Sequence, residues 1–134
     1  MYFPAGSAIT FETLITALGY FCGQRRFGEE ATDPAEAEAM AARNPPMVHY
    51  EGAAAAPLPV MGDDESQRDS ETWFGDVAGS AVPGREMASG FFRQEAGKAL
   101  DYYYDYEELK FIVDGEFHLT DGTGQSVVAK AGDL

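Results

Sequence analysis

The chain has 134 residues, 45% of them hydrophobic and 13% aromatic, which is enough for one buried core and too little for two domains. With 23 acidic against 9 basic residues the formal net charge is −14, so a nucleic-acid backbone or an anionic membrane is repelled, and neither is expected as a partner. The one cysteine, Cys22, can make no internal disulfide, and no zinc-type Cys/His spacing occurs, which suits a reducing cytoplasm.

The stretch up to Cys22 is apolar, yet it lacks a basic start, carries Glu12 and is broken by Pro4 and Gly6. It reads as strands rather than a signal peptide. No apolar run approaches the ~20 residues that span a bilayer, and a soluble chain is expected. Residues 1–4 and 8–12 form two short strands around "PAGS", and 14–22, "LITALGYFC", a third that ends at "GQRR". In "GEEATDPAEAEAMAARNPP" Asp33 is a good N-cap, Pro34 fits a first helical turn and Glu36 completes a capping box before Pro45 stops the run. This predicts a short surface helix around 33–43 within a linker, 27–46.

From 47 to 83 the sequence is irregular, an arm of loops with one strand, "ETWFGDV", anchored in the core by Trp73 and Phe74. "MASGFFRQEAG" is a further strand, and "LDYYYDYEELKFIVDGEFHLTDGTGQSVVAK" a series of strands turning at "DG" and "DGTG". Nearly every element is β, at the short spacing of a barrel or sandwich. If 102–112 is one extended strand, Tyr102, Tyr104, Tyr106, Glu108, Lys110 and Ile112 share a face, and Leu109, Phe111 and Val113 lie on the other. Periodicity alone leaves open which of the two is buried.

The stretch "GKALDYYYDYEELKFIVDG" resembles the first cupin motif, where a glycine precedes two histidines and a glutamate stands six residues before a second glycine; Glu108 and Gly115 match that last spacing. Joining Leu134 to Met1 gives "GDLMYFPAGSAITFET", which resembles the second motif through Gly132, Pro4 and Gly6. Within cupins the likeness is to the ethanolamine-utilisation protein Q-like small cupins, carried by "YDYEELKFIVDGEFHLTD", "AGDL" and "YFPAGS" over about two thirds of the chain.

The resemblance implies a single all-β domain, 1–134, a cupin-like double-stranded β-helix (jelly-roll barrel) in circularly permuted order. Residues 1–26 would be the C-terminal half of the usual order and 47–134 the N-terminal half, with 27–46 bridging them. Permutation is tolerated because chain ends commonly lie close together at the surface. A domain-swapped dimer, in which the halves pair between chains, gives the same barrel.

The family's metal site takes two histidines at i and i+2, a glutamate, and a third histidine from the second motif, a ligand set for first-row metals. Here the pair is Tyr102 and Tyr104, or Asp101 and Tyr103, and the third position falls on Ile9, so only Glu108 survives. Neither histidine, His49 or His118, has a partner at ligand spacing. No metal and no other cofactor is expected.

The match directs Glu108 into the cavity, and Lys110 and the tyrosines with it. The opposite apolar face then needs a cover, either the arm around Trp73 or a second subunit, hence a homodimer. Tyr102 or Tyr104 would be the general base, Glu108 the acid or orienting group and Lys110 the charge stabiliser. Tyr2, Ile9, Phe11, Phe91 and Tyr106 would line the ligand.

The function expected is metal-independent binding of a small polar organic molecule, with proton transfer of isomerase or lyase type. The alternatives are a non-catalytic binding or accessory cupin of the ethanolamine-utilisation type, and a metal-dependent cupin enzyme with degenerate ligands. A barrel plugged by Phe91, Phe3 and Tyr2 would favour a structural role, an open polar pocket chemistry. Elsewhere, Cys22 reads as core, Arg25 and Arg26 as surface ion pairs or contacts to an acidic ligand, and His118 as lying across a two-residue hairpin from Phe111, away from Glu108.

Overall fold

The computed structural model describes residues 1–3, 6–23, 48–62, 70–80, 84 and 86–134. The helix expected around 33–43, the linker 27–46, Pro4, Arg25 and Arg26 lie outside the described residues. Within them the chain is all-β, with one short 3-10 turn at Ala53–Ala55. The strands are β1 (Tyr2–Phe3), β2 (Ala8–Glu12), β3 (Ala17–Gly23), β4 (Thr72–Ser80), β5 (Met87–Gln94), β6 (Leu100–Tyr103), β7 (Glu108–Asp114), β8 (Glu116–Asp121) and β9 (Ser126–Lys130). No helix of the described residues is long and apolar enough to cross a membrane.

Two antiparallel sheets result, one in the order β1-β7-β3-β5-β4 and one in the order β6-β2-β8-β9. Each strand alternates inward and outward positions, as its pleat requires. Ile9 and Phe11 of β2, Phe21 of β3, Phe92 of β5 and Phe117 and Leu119 of β8 all turn inward. Phe11 from one sheet meets Phe92 from the other at 5.5 Å between ring centroids, and Phe92 meets Phe117 at 5.7 Å. Each such ring removed from water contributes about 1.5–3 kcal/mol, so the facing aromatics hold the sheets together.

The chain changes sheet where a hairpin was expected. Asp114–Gly115 does not join paired strands: β7 pairs with β1 and β3, β8 with β2 and β9. Gly115 has φ 74°, and a Cβ there would come within 2.5 Å of the Thr16 carbonyl oxygen, so only glycine fits this corner. His118 therefore stands opposite Glu12 and Val128, not Phe111, and still points away from Glu108. The "DGTG" turn does close a hairpin, with Asp121 N–H donating to the Gln125 carbonyl at 2.9 Å and Gly124 N–H to the Asp121 carbonyl at 2.9 Å.

Nor is 102–112 one strand. Tyr104 N–H donates to Ser7 O at 2.8 Å and its carbonyl accepts from Gly6 N–H at 2.7 Å, which completes the pairing of β6 with β2. The chain then crosses over to β7 in the other sheet. Gly23 allows this crossing, since a Cβ there would meet the Tyr106 ring at 3.0 Å and the Glu107 carbonyl at 3.2 Å.

The arm 48–62 lies along the outer edge of β4, where Phe74 N–H donates to the Pro59 carbonyl at 3.0 Å and Met61 N–H to the Thr72 carbonyl at 2.9 Å. Phe74 turns inward and stacks on Phe21 at 4.6 Å. Trp73, expected in the core, alternates to the outer face, where the Arg93 guanidinium lies 4.3 Å from its ring. The arm thus leaves the outward face of β7 uncovered, with Leu109, Phe111 and Val113 at 47%, 41% and 39% exposure.

Both chain ends lie on one edge of β7. Lys110 N–H donates to the Met1 carbonyl at 2.7 Å, and Ile112 N–H donates to the Asp133 carbonyl at 2.9 Å. With Phe3 opposite Glu108 and Tyr2 opposite Leu109, the first residues occupy the register just beyond that of Asp133.

Candidate functional site between the two sheets

Alternation on β7 sends Glu108, Lys110 and Ile112 inward. Glu108 and Lys110 are almost wholly enclosed, with side chains 1% and 3% exposed, and Lys110 Nζ lies 3.0 Å from Glu108 Oε1. An isolated buried charge costs several kcal/mol, so each offsets the other only through this close contact.

Tyrosines complete the carboxylate's shell. Tyr104, buried, donates to Glu108 Oε1 at 3.0 Å, and Tyr106 donates to Oε2 at 3.4 Å. The Tyr106 and Tyr102 hydroxyls are 3.3 Å apart. The row expected on one strand is thus assembled from both sheets. Tyr102 belongs to β6, Tyr104 and Tyr106 to the crossover, and Glu108 and Lys110 to β7.

The ammonium of Lys110 faces a set of rings that sequence spacing does not link. Its Nζ lies 4.8 Å from the Phe92 ring centroid, 5.4 Å from Phe21 and 5.7 Å from Phe11. These distances fall within cation–π reach. Phe11, Phe21 and Phe92 come from β2, β3 and β5. Gly19 on β3 leaves room for the lysine stem, since a Cβ there would sit 3.4 Å from it.

Burial first, then the Glu108 carboxylate and the hydrogen bond to it, push the Tyr104 hydroxyl far above the ordinary phenol value. Tyr104 is therefore a fixed donor to Glu108. The base role expected for Tyr104 does not suit this environment, because its phenolate would be created beside a carboxylate.

The free space against these groups is about 10 Å³, room for a single water. The half-buried Met61, Phe74, Tyr102 and Tyr106 form its outer end. Of the expected lining residues, Phe11 and Tyr106 border this space, and Ile9 is buried in the core beyond it. Tyr2 and Phe91 are elsewhere. Alternation puts Phe3 and Phe92 inside and their neighbours outside, so Tyr2 is 59% exposed with its hydroxyl on Glu107, and Phe91 packs on Tyr20 at 5.6 Å. The plug is thus Phe3, Phe11, Phe21, Phe92 and Phe117 rather than Phe91, Phe3 and Tyr2. Met61 carried no signal, lying in the irregular "PVMGDD"; Phe92 was missed because its neighbour Phe91 is equally aromatic, and Phe21 was not singled out within "LITALGYFC".

The metal that the resemblance implies does not fit these residues. Ile9 is apolar, residues 101–104 include no histidine, and Glu108 already accepts from Lys110. Among the described residues no three His, Cys, Asp or Glu side chains cluster as ligands. His49 is exposed, and His118 Nε2 is 3.1 Å from Glu116 Oε1. Cys22 is a half-buried free thiol on the outer side of β3. Comparison with protein-family models, curated proteins and solved structures gives no match for this chain.

Proposed function

We propose that the chain is a permuted cupin-like barrel that binds a small polar organic molecule without a metal, and that it performs a proton transfer of isomerase or lyase type. The buried Glu108–Lys110 pair, with Tyr104 on the same carboxylate oxygen, carries this reading. A packed hydrophobic pair of similar volume is often as stable or more so, so retaining the two charges has a purpose beyond stability. In this scheme Glu108 moves the proton, Lys110 stabilises developing negative charge, and Tyr104 holds the carboxylate in place. The hydroxyls of Tyr106 and Tyr102 lead from Glu108 toward the half-buried end of the pocket. The adjoining registers of Asp133 and Met1 on β7 support the permuted order.

The test is to compare Glu108→Gln and Lys110→Met with wild type for metabolites that co-purify, read by native mass spectrometry. Loss of a bound species in both variants is expected. Unchanged binding and turnover would remove these residues from the site.

The closed interior favours a second reading, a non-catalytic accessory barrel. With room for about one water, a ligand must displace Met61 or Phe74. Purified wild-type protein with no bound small molecule would support this alternative.

A homodimer through the outer face of the larger sheet belongs to the same proposal, as does a cytoplasmic location, in keeping with the unpaired Cys22. The outward side chains Leu18, Tyr20 and Cys22 of β3, Phe91 of β5, and Leu109, Phe111 and Val113 of β7 are uncharged, and the carboxylates stand at the margins, Glu86 and Glu107 beside Cys22 and Leu109, and Asp114 opposite Leu18. In a chain of net charge −14 the uncharged centre of that face is where two copies approach with least repulsion.

A further inference from the structure

We infer that Lys110 is an amine nucleophile that holds a small aldehyde or ketone as a Schiff base at the inner end of the pocket. The inference rests on the pocket reading above and names its substrate class.

Three features point to it. Lys110 lines the small interior space that Glu108 and Tyr104 also line. Phenylalanine rings at 4.8, 5.4 and 5.7 Å replace the water that would hydrate an ammonium, the setting in which a lysine becomes reactive. Finally, Glu108 Oε1, 3.0 Å away, can take the proton that must leave before nitrogen attacks.

The step balances with these groups alone. Glu108 accepts a proton from the Lys110 ammonium, and the neutral nitrogen adds to the carbonyl carbon. The C=O electron pair moves to oxygen, which takes the proton back from Glu108. Glu108 then removes a second proton from nitrogen and delivers it to the hydroxyl as the nitrogen lone pair expels it as water. A protonated C=N bond remains beside the Glu108 carboxylate. Tyr104 stays neutral throughout and orients that carboxylate. The iminium acidifies the neighbouring C–H, which is the proton transfer proposed above. With about 10 Å³ free, even the shortest carbonyl compounds enter only as Met61 or Phe74 moves aside.

The chain provides its own controls, because its lysines are Lys98, Lys110 and Lys130, and the first and last are exposed. Wild-type protein would be treated at neutral pH with glycolaldehyde, hydroxyacetone or acetaldehyde together with sodium cyanoborohydride, which reduces an iminium to a stable amine. Labelling of each lysine is followed by peptide mass spectrometry. Lys110 is expected to react with at least one of the three at least about tenfold faster than Lys98 and Lys130, equivalent to ~1.4 kcal/mol of barrier. Glu108→Gln, shown to be folded by circular dichroism, should slow Lys110 and leave the other two unchanged. Labelling of Lys110 no faster than the exposed lysines with all three compounds would overturn the inference. If a co-purified molecule were then still bound in native mass spectrometry, the pocket reading would stand without the Schiff base; if none were bound, both would fall.

Discussion

Glu108 and Lys110, two positions apart on one strand, form an ion pair 3.0 Å long that solvent hardly reaches. The carboxylate oxygen in that pair also accepts from Tyr104 at 3.0 Å. These three side chains therefore behave as one unit.

Breaking that unit should be costly in a characteristic way. Lys110→Met leaves a buried carboxylate without its cation, and a loss of about 3–5 kcal/mol is expected. Combining it with Glu108→Gln removes the unpaired charge, so the double variant should be less destabilised than the sum of the single ones by about 0.5–3 kcal/mol. Urea unfolding of the four proteins measures both quantities. Strict additivity would show that the pair is not coupled.

Tyr104 gives an alkaline signature. Its hydroxyl value is raised in the folded chain by burial and by Glu108. The folded state thus keeps a proton that the unfolded chain releases, and the stability this contributes is present below the ordinary phenol value and lost as pH rises above it. A spectrophotometric titration of the 7 tyrosines should show one that ionises only as the protein unfolds, and Tyr104→Phe should abolish that step. The same variant removes a hydrogen bond to a charged group, worth about 1.5–3 kcal/mol near neutral pH.

Two glycines with positive φ separate strain from collision. Gly124, at φ 90°, has open space where a Cβ would go, so Gly124→Ala should cost only the ~1–3 kcal/mol of the backbone conformation. Gly115, at φ 74°, adds a contact of 2.5 Å with a backbone oxygen. Gly115→Ala should therefore be clearly the more destabilising in thermal unfolding. Equal midpoints would mean that the sheet-to-sheet corner relaxes freely.

The uncovered face of β7 predicts association. Sedimentation of the wild-type chain is expected to give a dimer, and Phe111→Lys a monomer of unchanged secondary structure, since Phe111 is already 41% exposed in the single chain. A wild-type monomer at micromolar concentration would reject the proposed interface.

Much of the fold was legible because alternation is a property of the local backbone. Ile9 and Phe11, Phe117 and Leu119 declare themselves as inward pairs within their own strands, and the "DGTG" turn is fixed by residues in direct succession. The tyrosine, glutamate and lysine row was also visible as a period of two. Its location was not, because nothing local says that the chain leaves one sheet at Tyr104 and enters the other at Glu108. The positions of Tyr2 and Phe91 failed for a related reason. Each has an aromatic neighbour, and only the pairing of β1 with β7 and of β3 with β5 decides which of the two turns inward.

The sequence by itself determined the β character of the described segments, the alternation of period two within each strand and the set of groups able to do chemistry. Tertiary structure alone decided that Glu108 and Lys110 take the buried parity, and it alone brought Phe11, Phe21 and Phe92 around one ammonium. The reason is physical: which face of a strand loses its water, and which rings meet, depends on partners far away in the chain, whereas the alternation itself needs only the next residue.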